Sequence, residues 1–304
     1  MSKKVCKTIQ FADAYIKFDS KSQNYTLSGG GLGDYCPPVE GGGTDKCNNN
    51  DEKVSSAFIG LINMLIGNND EEKIESDKLA EYAILWLSYK IQQYEKTKTT
   101  ILKDFFTKHI ETNTHYNKKI TNSEGNTTNK EFIDKKKYLM NMDIKDISNF
   151  YEAFDILCKI YNAHNEKSKN CTSFSQKAKE FNEKYKELNE GSNNKNNSYK
   201  NILYNLSTNY NNLKKYLSEN CSDPSEISSF PEIGIPEGPF EIIEATSSSS
   251  IASNLIPVLL IFSAIPVFLG IAYKYSLFGF DKRLHRQYLR EKIKKIKREM
   301  NHHI

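Results

Sequence analysis

The sequence predicts an all-α protein in which several helices form a large N-terminal domain and one apolar helix follows near the C-terminus. None of the eight prolines lies between Val39 and Asp223. Through that region apolar residues recur at steps of three and four, and runs of Val or Thr are few. Proline interrupts helices, and a 3.6-residue period places apolar side chains on one helical face. The region is therefore expected to fold as consecutive helices.

The first predicted element is an amphipathic helix with a broad apolar face. Its apolar residues are Val5, Ile9, Ala12 and Ile16, with Phe11, Tyr15 and Phe18 beside them. Residues 20–50 then contain GGGLG, CPP and EGGG, which favour a long irregular loop. The glycines match neither GxxxxGK[ST] nor GxGxxG, so a nucleotide site is not predicted there.

Two helices are predicted after this loop. The first begins near Asn50 and Asp51, which are candidate caps, and ends at Gly67. The second begins at Ser76. Because residues 83–87 are almost wholly apolar, this helix is expected to be the most buried of the domain.

Trp86 and His109 are two central residues of types that often occur in binding sites. Trp86 lies within the apolar run, and we interpret it as a core anchor rather than a ligand-stacking residue. His109 ends a helical pattern that starts at Ile101. No HExxH motif or Cys/His cluster accompanies it, so a metal site is not predicted.

Residues 112–129 are polar and are predicted to form a second irregular loop, after which three more helices follow. Their apolar stripes are Ile147, Tyr151, Phe154, Cys158 and Tyr161; Phe174, Ala178, Phe181, Tyr185 and Leu188; and Tyr199, Leu203, Leu206, Tyr210, Leu213 and Leu217. These stripes favour antiparallel helices packed within the domain. Coiled coils with partner chains are the alternative, but the stripes last too few turns for them.

All six cysteines precede the apolar segment near the C-terminus. They are Cys6, Cys36, Cys47, Cys158, Cys171 and Cys221. An even number outside the cytoplasm favours disulfides, and reduced structural thiols are the alternative. Fifteen pairings are open, and the sequence does not choose among them. Cys158 lies on an apolar stripe, so it is either a core thiol or a staple between helices.

The apolar segment Ile251–Tyr273 contains 23 residues and no charged side chain. As a helix it would extend about 34 Å, enough to cross a hydrocarbon core of about 30 Å. We therefore predict a transmembrane helix, with a buried core helix as the alternative. Residues 1–221 are assigned to the helical domain. Residues 222–250, rich in Pro, Ser and acidic residues, are predicted to form an extended stalk.

Residues 274–304 are predicted to form a short basic helix in the cytoplasm. They contain ten Lys or Arg and three acidic residues, a difference of +7. This excess predicts that the helical domain lies outside the cytoplasm. The candidate basic residues are Lys282, Arg283, Arg286, Arg290, Lys292, Lys294, Lys295, Lys297 and Arg298. They are expected to contact anionic lipid or a cytoplasmic partner rather than nucleic acid, and an ordinary stop-transfer flank is the alternative.

Motifs typical of enzymes are missing from the sequence. There is no GxSxG, no paired metal motif and no Rossmann fingerprint, and the carboxylates are dispersed over helix surfaces. The protein is therefore expected to be non-enzymatic and to hold no cofactor or metal ion.

Several segments resemble the Plasmodium interspersed repeat (PIR) proteins of the Cir/Yir/Bir group. They are the segment around Cys6, YCP at 35–37, AILWLSYK at 83–90, FYEAFDILCKIYN at 150–162, KAKEFNEKYKELN, ILYNLSTNYNNLKK, and SLFGFDKRLHRQYLREKIKKIKREMNH in the tail. The resemblance implies a variant antigen of a malaria parasite, located at the infected erythrocyte, the parasite surface or the vacuolar membrane. It also implies roles in immune evasion and host interaction. It assigns no binding residue.

These observations favour a non-enzymatic surface or exported membrane antigen whose partners are antibodies or host cell-surface proteins. One alternative is an adhesin that binds a specific host receptor through the loops. Another is a membrane-tethered scaffold that acts through its basic tail.

Overall fold

The computed structural model describes most of the predicted helical domain. The described residues are 1–29, 31–37, 46–67, 75–94, 101–120, 127–164, 171, 174–193, 195–221, 225–228, 230–236 and 238. They belong to one compact unit, Met1–Ala245. No helix among them is both long and apolar enough to cross a membrane. The predicted span at 251–273 and the basic tail at 274–304 lie outside the described residues.

Helices dominate the described residues, with one short hairpin near the N-terminus. The elements are α1 (Lys3–Tyr15), β1 (Ile16–Asp19), β2 (Asn24–Leu27), α2 (Asn50–Gly67), α3 (Ser76–Tyr94), α4 (Leu102–Phe105) with a π-helix (Phe106–Ile110), α5 (Asn129–Asp134) followed by a 3₁₀-helix (Lys137–Asn141), α6 (Ile144–Ala163), α7 (Phe174–Glu190), α8 (Asn197–Asn220) and α9 (Ser225–Ser228). The helix-rich fold predicted from periodicity is confirmed.

The hairpin corrects two predictions for the N-terminal region. α1 ends at Tyr15, and Ile16 is extended, with φ −118° and ψ 105°. Strands β1 and β2 pair antiparallel, with Ile16 opposite Leu27 and Phe18 opposite Tyr25. The prediction that the first helix includes Ile16 and Phe18 is therefore wrong. The loop predicted at residues 20–50 also contains a strand.

The core is built around α3 and α6, which pack against each other. α2 packs on α3, whereas α1, α7 and α8 pack on α6. Every residue of the three predicted stripes on α6, α7 and α8 is buried. Trp86 is fully buried, which confirms its interpretation as a core anchor.

Asp13 links three helices through polar contacts at the edge of this core. Its Oδ1 accepts a hydrogen bond from Trp86 Nε1 at 2.8 Å, and Lys90 Nζ lies 2.7 Å from the same oxygen. Its Oδ2 accepts a hydrogen bond from the Tyr151 hydroxyl at 3.0 Å. Burial, together with the charge of Asp13, raises the pKa of Tyr151 well above its usual value. The carboxylate thus connects α1 to α3 and α6.

The residues that were candidate caps of α2 have other contacts. Asn49 is the cap, because its Oδ1 accepts a hydrogen bond from the Glu52 N–H at 2.9 Å. Asn50 Oδ1 instead accepts a hydrogen bond from the Tyr25 N–H at 2.8 Å, which joins β2 to α2. Asp51 accepts a hydrogen bond from the Tyr94 hydroxyl at 2.6 Å. The two predicted caps therefore serve as tertiary links.

Part of the predicted stalk belongs to the helical domain. Residues 225–228 and 230–236, here called the C-terminal strap, follow α8. Ile227, Phe230 and Ile233 of the strap are buried. The Tyr210 hydroxyl donates to Pro231 O at 2.8 Å, and the Tyr185 hydroxyl donates to Gly234 O at 3.1 Å. The described residues of the strap therefore pack on α7 and α8, whereas the sequence predicted an extended stalk over residues 222–250.

All six cysteines form disulfides, so the alternative of reduced thiols is wrong. The pairs are Cys6–Cys158, Cys36–Cys47 and Cys171–Cys221, with Cα–Cα distances of 4.9, 5.0 and 5.9 Å. The first pair staples α1 to α6. The second closes the glycine-rich loop. The third joins Cys171, three residues before α7, to Cys221, which directly follows α8.

Candidate interaction surface

Two segments that the sequence predicts as irregular loops meet on α2 and form the candidate site. The glycine loop contributes residues 31–37 and 46–49, and the second loop contributes residues 111–120 and 127–129. We call these residues together the two-loop surface. We call the described part of each loop its stem. The segments that follow in sequence between the two sides of each stem, residues 38–45 and 121–126, are called the tips and lie outside the described residues.

The glycine loop rests directly on α2. Leu32 is fully buried, and its carbonyl accepts a hydrogen bond from the Ser56 hydroxyl. Gly60 of α2 lies beneath the loop: a Cβ at this position would be 2.9 Å from Leu32 Cδ2 and 3.3 Å from Tyr35 Cε2. Because such distances are too short for a side chain, glycine at position 60 allows the loop to approach the helix backbone.

The described part of the glycine loop is a closed turn. Gly31 has φ +74°, a conformation that favours glycine, and the Cys36 N–H donates to Gly33 O at 3.2 Å. The Cys36–Cys47 disulfide joins the two sides of the loop directly before the tip begins. The stem of this loop is therefore fixed covalently as well as by packing on α2.

The second loop is held by the buried amide of Asn129. Its Oδ1 accepts a hydrogen bond from Asn63 Nδ2 of α2 at 3.0 Å. Its Nδ2 donates to His115 O at 3.0 Å, and its own N–H donates to Lys118 O at 3.2 Å. Because one side chain contacts both α2 and the loop backbone, it fixes the loop on the same helix that carries the glycine loop.

A short ladder closes the stem of the second loop. Lys119 pairs with Thr128 in an antiparallel bridge, and the Ile120 N–H donates to Thr127 O at 2.9 Å. Thr128 also caps α5 in a capping box with Glu131. Hydrogen bonds from the backbone and the hydroxyl of Thr128 lower the pKa of Glu131. Ile120 and Thr127, the described residues on either side of the tip, are thus joined by a backbone hydrogen bond.

The two stems contact each other. The rings of Tyr35 and His115 meet edge to face, with centroids 5.1 Å apart. Asn113 Nδ2 donates to Tyr35 O at 2.9 Å. Burial is the main cause of the raised pKa of Tyr35, and the charge of Asp34 adds to it. The two loops therefore form one continuous surface.

The exposed side chains of the two-loop surface are polar and of mixed charge. They include Asp34, Lys46, Thr112, Thr114, Asn117, Lys118 and Lys119. Such a surface suits recognition by hydrogen bonds and scattered ion pairs. Within the described ranges, no group of His, Cys, Asp or Glu is arranged to hold a metal ion.

The structure separates the predicted site residues into different roles. The cysteines form the three disulfides, and the nine basic tail residues from Lys282 to Arg298 lie outside the described residues. His109 faces Asp51, with Nε2 3.4 Å from Oδ2. Gly60 and Asn129 were not predicted to anchor the loops. A glycine inside an apolar helix was a usable signal for Gly60. No pattern in the sequence marks Asn129.

Comparisons with known proteins agree with this fold. The family model described as "Plasmodium variant antigen protein Cir/Yir/Bir" matches residues 6–274. A solved structure described as a Plasmodium PIR protein ectodomain is similar, with a TM-score of 0.60 and 33% sequence identity. The match covers 77% of this chain and 97% of that chain. A comparison with curated proteins gave no match. The chain therefore belongs to the Cir/Yir/Bir family of Plasmodium variant antigen proteins.

Proposed function

We propose that this protein is a non-enzymatic membrane antigen that presents the two-loop surface to antibodies or host cell-surface proteins and so contributes to immune evasion. The proposal rests on the way in which the stem of each loop is closed. The Cys36–Cys47 disulfide and the Lys119–Thr128 bridge close the loops before their tips begin. We therefore expect the described contacts to remain when residues 38–45 or 121–126 are substituted, so that these segments can vary in sequence.

The position of the loops in the domain supports this proposal. The loops rest on α2, which packs on α3, whereas the strap rests on α7 and α8, which pack on α6. The two-loop surface and the strap therefore rest on different helices, and we infer that the strap leaves the two-loop surface accessible to large partners.

Replacing both tips tests the role of the loops. The variant carries Gly/Ser segments of equal length at residues 38–45 and 121–126 in the full chain. We expect antibodies from infected hosts to bind it several-fold less than the wild type. The matched control replaces Lys179, Glu183 and Lys186, exposed residues of α7, by Ala and should bind as the wild type does. Equal antibody binding to the wild type and the tip variant would refute the proposal.

An adhesin is the second candidate, because the fixed and polar two-loop surface also suits a single receptor. It predicts saturable binding of the wild-type protein to host cells and loss of that binding in the tip variant. An antigen without a dedicated receptor predicts no saturable binding of either protein. The same pair of proteins therefore separates the two functions.

The proposed topology places the helical domain outside and residues 274–304 in the cytoplasm. Protease treatment of intact and selectively permeabilised infected cells tests it, with one antibody to the domain and one to the tail. Cleavage of the domain on intact cells is expected for surface display. Protection of the domain until inner membranes are opened would place it in a vacuole or reverse its topology, and would favour the scaffold that acts through the tail.

A further inference from the structure

A carboxylate lies buried between α3 and α8, away from the two-loop surface. Glu81 of α3 has a side chain that is 2% exposed. Its two oxygens accept hydrogen bonds from Asn205 Nδ2 of α8 at 3.0 and 2.8 Å. Lys136 Nζ, from the segment between α5 and the 3₁₀-helix, lies 3.6 Å from Oε2. The proposed antigen function does not use this group.

The surroundings of Glu81 supply few compensating charges. Lys136 is shared, because its Nζ also lies 3.3 Å from Asp77 Oδ2. The groups that interact with the carboxylate are Asp77 and Tyr82 of α3, Lys136 and Tyr138 before and within the 3₁₀-helix, and Asn205 of α8. Asn209 of α8 accepts hydrogen bonds from the Tyr82 hydroxyl and the Met1 α-amino group, and Tyr161 of α6 interacts with Tyr82. The negative charge is therefore only partly balanced.

Burial decides the protonation of this carboxyl group. It disfavours the ionised form and raises the pKa of Glu81 to about 7, although Lys136 and Asn205 favour the carboxylate. Burial of the ammonium group is the largest single influence on the pKa of Lys136 and lowers it, but Glu81, Tyr138 and Asp77 together outweigh burial, so that this pKa is raised. Above about pH 7 the two groups therefore form an ion pair inside the domain.

We propose that Glu81, Lys136 and Asn205 form a pH-responsive joint between α3 and α8 that makes the folded domain more stable at mildly acidic pH than at pH 8. In the unfolded chain the pKa of Glu81 is near its ordinary value of about 4.3. Between that value and about 7, the folded protein retains a proton that the unfolded chain releases. This contribution to stability is complete below pH 4 and is lost as the pH rises through 7. Acidification from pH 8 to 5 therefore stabilises the folded domain through the protonation of Glu81.

Thermal unfolding of the full chain in nonionic detergent tests the joint between pH 5 and 8.5. Glu81→Gln keeps an oxygen that accepts from Asn205 but removes the titration. We compare the melting temperature of the variant minus that of the wild type at each pH. This difference should be roughly 5 °C higher at pH 8.5 than at pH 5.5. The control is Glu187→Gln on α7, where the side chain is 72% exposed, and its curve should run parallel to that of the wild type. Parallel curves for Glu81→Gln and the wild type would overturn the proposal.

A second measurement needs no variant and is decisive if Glu81→Gln does not fold. The side-chain carboxyl carbons of glutamate are labelled with ¹³C in the wild-type full chain and titrated by NMR. We expect one glutamate to titrate near pH 7, whereas Glu131, whose pKa is lowered, titrates below its ordinary range. A spectrum in which every glutamate titrates below pH 5.5 would overturn the proposal.

Discussion

The core between α3 and α6 and the two-loop surface are held together by different forces. The core depends on apolar and aromatic packing, as where Tyr82 stacks on Phe154 with ring centroids 4.8 Å apart. The two-loop surface depends on a disulfide, a close approach at Gly60 and hydrogen bonds from Asn129. Apolar burial is shared by many residues and is cooperative, whereas each polar anchor holds one segment. Damage to the core should therefore unfold the domain, and damage to the anchors should displace a loop.

The largest effect is expected from removal of a ring in the core. Phe154 is 1% exposed, and Phe154→Ala leaves a cavity that should lower the free energy of unfolding by about 3–5 kcal/mol. Phe11→Ala is the matched control on α1, because Phe11 is 43% exposed and its loss should cost less than about 1 kcal/mol. Urea unfolding followed by far-UV circular dichroism measures both. Equal losses in the two variants would show that the core does not dominate stability.

Removal of the disulfide in the core should also lower the free energy of unfolding more than removal of the disulfide in the glycine loop. Cys6–Cys158 spans 152 residues, and Cys36–Cys47 spans 11. Because a longer closed loop restricts the unfolded chain more, replacing the first pair by Ala should cost about 2 kcal/mol more than replacing the second. Urea unfolding of the two double variants tests this. A larger loss from the Cys36–Cys47 variant would mean that the glycine loop supports the core.

A polar anchor should give a local effect. Asn129→Ala removes the amide that joins α2 to the second loop. We expect the free energy for local opening of this loop to fall by about 1–3 kcal/mol. Hydrogen exchange should become faster in residues 111–120 and remain unchanged in α3 and α6. Asn117→Ala, at an exposed position of the same loop, is the control and should change neither region. Faster exchange throughout α3 in the Asn129 variant would contradict the separation of core and surface.

The smallest effect concerns the cap of α5. The pKa of Glu131 is lowered first by the hydrogen bond from the Thr128 backbone N–H and then by the hydrogen bond from its hydroxyl. Thr128→Ala keeps the former and removes the latter, so this pKa should rise part of the way towards its ordinary value. A lowered pKa stabilises the folded state at pH values above the ordinary pKa of the group. The contribution of Glu131 is therefore lost as the pH falls below the ordinary value and through the lowered pKa. Carboxyl NMR measures the change, and Thr128→Ser should restore the low pKa. An unchanged pKa in Thr128→Ala would assign the effect to other groups.

The sequence predicted the parts of the fold that depend on one helix at a time. The stripes of α6, α7 and α8 were predictable because a buried helical face imposes its own period. The N-terminal hairpin was missed because the spacing of Ile16 and Phe18 fits a strand with alternating burial as well as a continuation of the first helix. The strap was missed because prolines and acidic residues obscured the apolar spacing of Ile227, Phe230 and Ile233.

The two-loop surface depends on contacts that no local pattern encodes. Tyr35 and His115 are 80 residues apart in the chain, and only the packing of both loops on α2 brings their rings together. The pairing of the cysteines is also a tertiary property, since the sequence alone left fifteen arrangements open. The sequence could therefore predict where the loops lie in the chain but not that they share one surface.

The tips are expected to change without any change in the helices and stems that carry them. Hydrogen exchange on the full chain tests this independence, with residues 38–45 and 121–126 both replaced by Gly/Ser segments of equal length. Independence predicts unchanged exchange in α2, α3 and α6 and in the stems at residues 31–37 and 111–120. Faster exchange in α2 or α3 would contradict it, because the tips would then be part of what holds the core together.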